Sequence, residues 1–570
     1  MTWRRLQPGA LACLLGVLAF LAWNGGHTFS PKHIGWVMTG FDTPAHYLGW
    51  EFFRHASWWQ WPLGANPAYG SDAPGTIVLT DGIPIAAFFF KLFNPLLPPD
   101  FQYFGIWILV CFVLQAWFGF KLMGRMTADP ISRLLGCALF LMAPIFLMRL
   151  YLHPALAGQW VLLAALYLGL DRRLRRRAWL ALLVVAALVH AYLLVMAGAL
   201  WAASMLGKAV HGKCSWMAVI RHVLLVLSAV VLVMWAVGYF VPSAVMPVQQ
   251  ISHTNLLTFL ITGTCGLAEW SRWLPCMALK PGIAMRTGDG FGYFGLGFLL
   301  LVPVAVALRL WRPRVTAGEP GPVRWQPLVA AALVLLVYAV GNEVFVGDVE
   351  LFSFALPPFA ERVWTVFRGA ARMEWPLWYV ILALAMGAVV SRLRRMPARL
   401  VLAAALAVQC VDLSGAALAL RTGMAARSHF REALGDPAWP QLAAHHLHAV
   451  YLPAASVSPY LIAWIPEYRQ LAHYAALHGL TINAAYLARL DTAKLAARRA
   501  ARVAMLEQGV AEPSSFYVVG DAAVWGRILC APDHGQWHGR IDGLRVLVPD
   551  PSTVTRLPSA EMCGVAASGR

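Results

Sequence analysis

Charge is what this chain has little of. Only 13% of its 570 residues are Asp, Glu, Lys or Arg, against about 25% in soluble domains, so the sequence reads as an integral membrane protein. No Walker motif appears, which argues against an ATP-driven pump. Neither a tandem repeat nor a low-complexity tract is visible, and the inverted repeats that a transporter favours are missing as well. What is abundant is apolar: 59% hydrophobic residues and 25 tryptophans, with a mean hydropathy of +0.62. Tryptophan at this level suits many membrane-interface belts.

The formal charge of +18 would fit nucleic acid if the basic residues were spread over one face. They fall instead in short clusters between apolar runs: Arg4/Arg5, Lys121/Arg125/Arg133, Arg172 to Arg177, Lys208/Lys213/Arg221, Arg309/Arg312/Arg314 and Arg392 to Arg399. That is the positive-inside pattern, and no nucleic-acid partner is expected. "LQPGALACLLGVLAFLAW" behind Arg4 and Arg5 reads as an uncleaved first helix, since "LAWNGGHTF" is a poor cleavage site. Further spans are expected near 102–121, 131–148, 154–170, 178–190, 191–208, 220–241, 291–311, 325–344, 375–391 and 399–420. The apolar run 178–207 is divided at His190, because that count puts every basic cluster on the cytoplasmic side. "IPIAAFFFKLFNPLLPP" is too short and too broken by Lys91 and its prolines to be a span.

The expected architecture is an α-helical polytopic membrane protein with about eleven transmembrane helices. Its N-terminus is cytoplasmic, with residues 26–101, 242–290, 346–374 and 421–570 on the opposite side. Residues 1–420 form the transmembrane domain, loops 26–101 and 242–290 included. Residues 421–570 have soluble composition and form a small α/β domain, with strand-like "AVYLP", "SFYVVG" and "LRVLVP" between helical stretches. The external segments hold two even pairs of cysteines, Cys265 with Cys276 and Cys530 with Cys563, which in an oxidising compartment read as two disulfides.

With that orientation, ionisable residues distant in sequence converge on one depth near the outer face, where charge is costly and usually functional. They are Asp42 and His46 after the first helix, Asp81 in "LTDGIP", Arg149 and His153 in "MRLYLHP", His190, and Arg368, Arg372 and Glu374 in "FRGAARMEWP". A carboxylate there can act as general base on an acceptor hydroxyl. Arginines and histidines can hold a lipid phosphate and stabilise its charge as it leaves. Trp50, Trp58, Trp59 and Trp61 are candidate platforms for a sugar ring.

A long first external loop with an aspartate just after the first helix, many spans and an external C-terminal domain resemble the GT-C superfamily of glycosyltransferases. More closely, "FDTPAHYLGWEFFR", "WPLGANPAYG", "TDGIP", "LHPALAGQW", "FRGAARMEWP" and "LTINAAYLAR" resemble an uncharacterised family of bacterial multi-pass membrane proteins. The first resemblance implies transfer of a sugar from a polyprenyl-phosphate donor to an envelope glycan or lipid acceptor. The reaction would take place at the periplasmic face of the inner membrane, with Asp42 as the first-loop catalytic aspartate; Asp81 is a second candidate catalytic carboxylate beside it, and Asp72 stands separately in the same loop. His46, Arg149, His153, His190, Arg368, Arg372, Trp58 and Trp61 would bind substrate. The loop has no D-x-D motif, so dependence on a divalent metal stays open.

Other readings stand beside these. Asp42 is also placed to cap a helix, with proline two residues on, and Asp81 before "GIP" to shape a turn. Arg149, Arg368 and Arg372 would also serve as anchors to lipid head groups, and His153 and His190 as structural histidines. The His445, His446, His448 run lacks a partner at ligand spacing, and "GFGYFGLGF" opens an apolar span, as close packing would require. A flippase of lipid-linked precursors and a non-catalytic polysaccharide-assembly protein are the alternative functions.

Overall fold

The computed structural model describes residues 7–242, 251–265, 269–314, 324–427, 430, 432–532 and 534–563. Arg4, Arg5 and most of the linker around 316–325 lie outside the described residues. The chain forms two compact units. One comprises Met1–Pro31, Tyr103–Val233 and Met246–Ala426; the other comprises Lys32–Gln102, Met234–Val245 and Arg427–Arg570.

The first unit is mostly helical. Phe104–Met123, Ala191–Val210, Trp216–Val237 (whose last turn belongs to the second unit) and Ala370–Arg392 are long and apolar enough to cross a bilayer. Two bent pairs raise the count among the described residues to six: Pro130–Leu141 with Pro144–Leu152, and Arg395–Asp412 with Ser414–Ala426. Pro8–Asn24, Pro154–Gly169, Leu296–Trp311 and Gln326–Val340 are apolar but shorter. At 1.5 Å per residue, 15–17 residues reach only about 22–26 Å of a core roughly 30 Å thick. Among the described residues, length and composition therefore support four to six spans, against the eleven expected from hydropathy.

Breaks in these helices have identifiable causes. Pro144 ends the expected span 131–148 early and bends the pair by 46°. Arg176–Val189 stops at His190, which is extended (φ −167°, ψ 139°), and His190 Nδ1 accepts the Tyr192 N–H at 3.2 Å to start Ala191–Val210. Asp412, beside the second bend, is buried but fully used: it accepts from the Tyr293 hydroxyl at 2.8 Å, the Leu296 N–H at 2.9 Å and the Ser271 hydroxyl. It thereby caps the helix that Leu296 begins. Polar side chains inside the bundle are paired too, Gln115 to the Tyr379 hydroxyl at 2.8 Å and that hydroxyl to Gln159 at 2.7 Å. Strands β1 (Glu343–Val346) and β2 (Val349–Ser353) make an antiparallel hairpin. The disulfide Cys265–Cys276 closes a loop of this unit.

The second unit contains a five-stranded mixed sheet of β3 (His448–Leu452), β4 (Thr481–Ile482), β5 (Ser515–Val519), β6 (Trp537–Ile541) and β7 (Leu544–Val548), ordered β4-β3-β5-β7-β6. β3 is parallel to β4 and β5, while β7 is antiparallel to β5 and β6. Side chains alternate across it. Val450, Leu452, Tyr517 and Val519 pack on Val503, Leu506, Trp525 and Ile528. Tyr451 and Phe516, on the other face, meet Tyr468, Trp439 and Tyr474. Cys530 is bonded to Cys563.

Sequence adjacency puts residues 26–101 with the membrane helices, whereas residues 32–102 pack in this second unit. The stretch around Tyr69 pairs with β4: Gly70 and Ser71 donate to the Ile482 carbonyl, each at 2.9 Å, and Ile482 donates to Ala68 at 2.9 Å. Asp72 then takes Arg502 on both oxygens, at 2.7 and 3.0 Å. An otherwise open sheet edge is covered by a segment some four hundred residues upstream.

Candidate functional site

In the second unit the helix Thr43–His55 is buried from Thr43 through Arg54. Its interior charges are paired: Arg54 lies 3.4 Å from Glu51 and donates to Asn94 and to the Pro98 and Pro99 carbonyls at 2.6–3.0 Å. Gly49 interrupts a helix where glycine costs about 1 kcal/mol, because a Cβ there would stand 2.3 Å from the Thr80 hydroxyl. That approach brings the turn carrying Asp81 against the helix. A ring nitrogen of His46 and a carboxylate oxygen of Asp81 lie within 4.8 Å of each other. Asp81 and Ile83 have φ of +52° and +51°, the left-handed region, where a β-branched residue is strained.

Asp42 occupies the position before this helix, one turn from His46. Its backbone is helical (φ −88°, ψ −19°), and its carboxylate accepts no capping hydrogen bond from the first turn. Tyr239 lies within electrostatic reach of Asp81 and is a neighbour that sequence reasoning did not single out. Trp58 and Trp61 lie elsewhere: Trp58 is tilted against Phe88, and Trp61 packs on Trp235 at 4.4 Å. His46 and Asp81 are of the types that ligate a divalent cation, though two residues do not complete a coordination shell. His446 and His448 serve local structure, bonding Leu442 and Thr481.

The first unit carries the arginines. Arg149 opens a short helical turn after the Pro144 bend, and Arg372 lies in the 3-10 turn Ala370–Glu374. Both converge on Asp289 in the Gly288–Gly290 turn. Arg372 Nη2 donates to both carboxylate oxygens at 2.9 Å. Arg149 donates to the Asp289 carbonyl at 2.8 Å and stands 3.6 Å from its carboxylate. Aromatic faces flank both guanidiniums, Trp375 at 5.3 Å from Arg149 and Tyr192 at 5.1 Å from Arg372. Burial pushes the Asp289 carboxyl up, and Arg372 and Arg149 more than reverse it, holding it below the usual carboxylate range.

His153, within electrostatic reach of Asp289, meets His190 edge-on at 5.3 Å, and His190 lies 5.3 Å from Tyr192. The Tyr192 hydroxyl accepts the Gly369 N–H at 2.7 Å, which fixes the turn that carries Arg372. Arg368 is also within electrostatic reach of Tyr192. Four of the expected binding residues of this unit, Arg149, His153, His190 and Arg372, are thus brought together, with Arg368 beside them. Asp289 and Tyr192 were not anticipated. The signal for Asp289 was a lone acid between glycines in "RTGDGFG". Two guanidinium forks around one carboxylate leave an excess of positive charge, the chemistry of an anion site.

Apolar helices in this number, joined to a mixed-sheet unit and carrying these polar clusters, fit a multi-pass membrane protein. The chain belongs to the DUF6311 family: the family's model, described as a domain of unknown function, matches residues 13–414. The model of the DUF6311 C-terminal domain matches residues 438–549. No curated protein matches the chain.

Proposed function

We propose that this protein is a GT-C-like glycosyltransferase of the bacterial inner membrane, with about eleven spans and its C-terminal domain in the periplasm. It takes a sugar from a polyprenyl-phosphate donor and passes it to an envelope glycan or lipid. The observation that carries the reading is the convergence of Arg149 and Arg372 on one anionic group, with His153 and His190 adjacent. Asp289 occupies the position that a lipid phosphate would claim. In the reaction an acceptor hydroxyl gives its proton to a general base as its oxygen bonds to the anomeric carbon; the GT-C resemblance gives that role to Asp42, with Asp81 as the second candidate. The bond from that carbon to the phosphate oxygen breaks, and polyprenyl phosphate leaves with its charge held by the arginines.

What supports Asp42 and Asp81 is position: Asp42 stands at the start of the buried helix one turn from His46, and Asp81 lies beside His46 on the turn packed against that helix. Donor binding tests the reading. A charge-assisted pair is worth about 1.5–3 kcal/mol, so Arg372→Ala should weaken binding of polyprenyl phosphate to the full-length protein roughly 10–100-fold. Unchanged affinity would remove the phosphate role of this cluster.

A further inference from the structure

Residues 84–97 are built inside out for a protein surface in water. The segment "PIAAFFFKLFNPLL" runs through the helix Pro84–Lys91 and the 3-10 turn Asn94–Leu96. Its most open side chains are Phe89, Leu92, Phe93 and Leu96, at 54%, 65%, 43% and 83% exposure. Phe89 lies in the last turn of the helix, Leu92 and Phe93 in the turn that follows it, and Leu96 in the 3-10 turn. Lys91, the segment's one charged residue, turns inward instead and is 2% exposed. Its Nζ lies 4.0 Å from the centre of the Phe53 ring and 5.0 Å from that of Trp58. On a water-facing helix the order is reversed, with charge outside and the apolar stripe within.

The apolar surface continues onto the neighbouring turn, where Trp58, Trp59, Trp61 and Leu63 are exposed, Trp59 almost completely. This turn is joined to the end of a candidate membrane span. Trp61 packs on Trp235, and the Leu63 N–H donates to the Ala236 carbonyl at 2.8 Å. Both partners lie in the last turn of Trp216–Val237, an apolar helix of 22 residues.

We infer that residues 58–63 and 84–97 form a surface that lies in the bilayer itself, at the boundary of head groups and acyl chains, with lipid as its partner. Tryptophans concentrate at that depth, and an unbroken apolar face with its charge withdrawn is what an in-plane element presents to acyl chains. Burial also lowers the pKa of Lys91 to about 8, as expected of an amine kept away from water. The inference does not depend on any catalytic assignment. It gives Trp58 and Trp61 a lipid contact in place of a sugar platform.

Photocrosslinking tests it. A photoreactive phenylalanine analogue is placed singly at Leu92, Leu96 or Trp59 of the full-length protein, reconstituted in vesicles of phosphatidylethanolamine and phosphatidylglycerol. Leu224, on the apolar helix Trp216–Val237, and Lys494, exposed in the C-terminal region, serve as references. Lipid adducts at the three positions should match the yield at Leu224 and exceed that at Lys494 many-fold. Yields equal to that at Lys494, or adducts to another polypeptide in native membranes, would overturn the assignment.

Discussion

Glu51 has no exposed surface in the middle of the helix Thr43–His55. Burial raises its carboxyl to about 7, a shift that Arg54 restrains. Below about pH 4.5 the group is neutral folded and unfolded. As pH rises, the unfolded chain loses this proton first, so stability falls through the interval and levels above the folded value. A shift of this size corresponds to about 3 kcal/mol. Glu51→Gln keeps the shape, and Arg54 retains Asn94, Pro98 and Pro99 as acceptors. Thermal unfolding followed from about pH 5 to about pH 8 should show the wild type losing stability and the variant holding level. Parallel curves would mean that Glu51 is ionised throughout.

Elements were legible in the sequence wherever a local pattern determines them. Hydropathy located the apolar helices, and the break at His190 appears where the 30-residue run was divided. β3, β5 and β7 fall on "AVYLP", "SFYVVG" and "LRVLVP" because alternation and β-branching are local. β6 was not read from "WHGRI", whose composition is weak for a strand; it forms by pairing with β7 across the Asp542–Gly543 turn, both residues at positive φ. Pairing of residues 68–72 with β4 was hidden for a related reason: the partner is chosen by sheet-edge hydrogen bonds with no trace in either segment alone. The site followed the same division. Arginines and histidines at turns stood out against an apolar background, while Asp289 was recognisable only once Arg149 and Arg372 were seen to close on it.

At the scale of the whole molecule, topology governs the functional reading. The proposed eleven-span count, which would place the basic clusters on one side, requires the short helices of about 14–17 residues to span by locally thinning the surrounding bilayer. Reporter fusions at residues 215 and 430 should read cytoplasmic and periplasmic respectively; equal signals would require a different count. The proposed role of Asp42 as general base is measured most directly by turnover of a polyprenyl-phosphate-linked sugar by wild-type and Asp42→Asn protein in vesicles. Removing a general base typically costs on the order of 10²–10⁴-fold in rate, and no side-chain cap is lost with it. Asp42→Asn should insert and fold like the wild type and lose nearly all transfer. Full activity in Asp42→Asn would contradict that role.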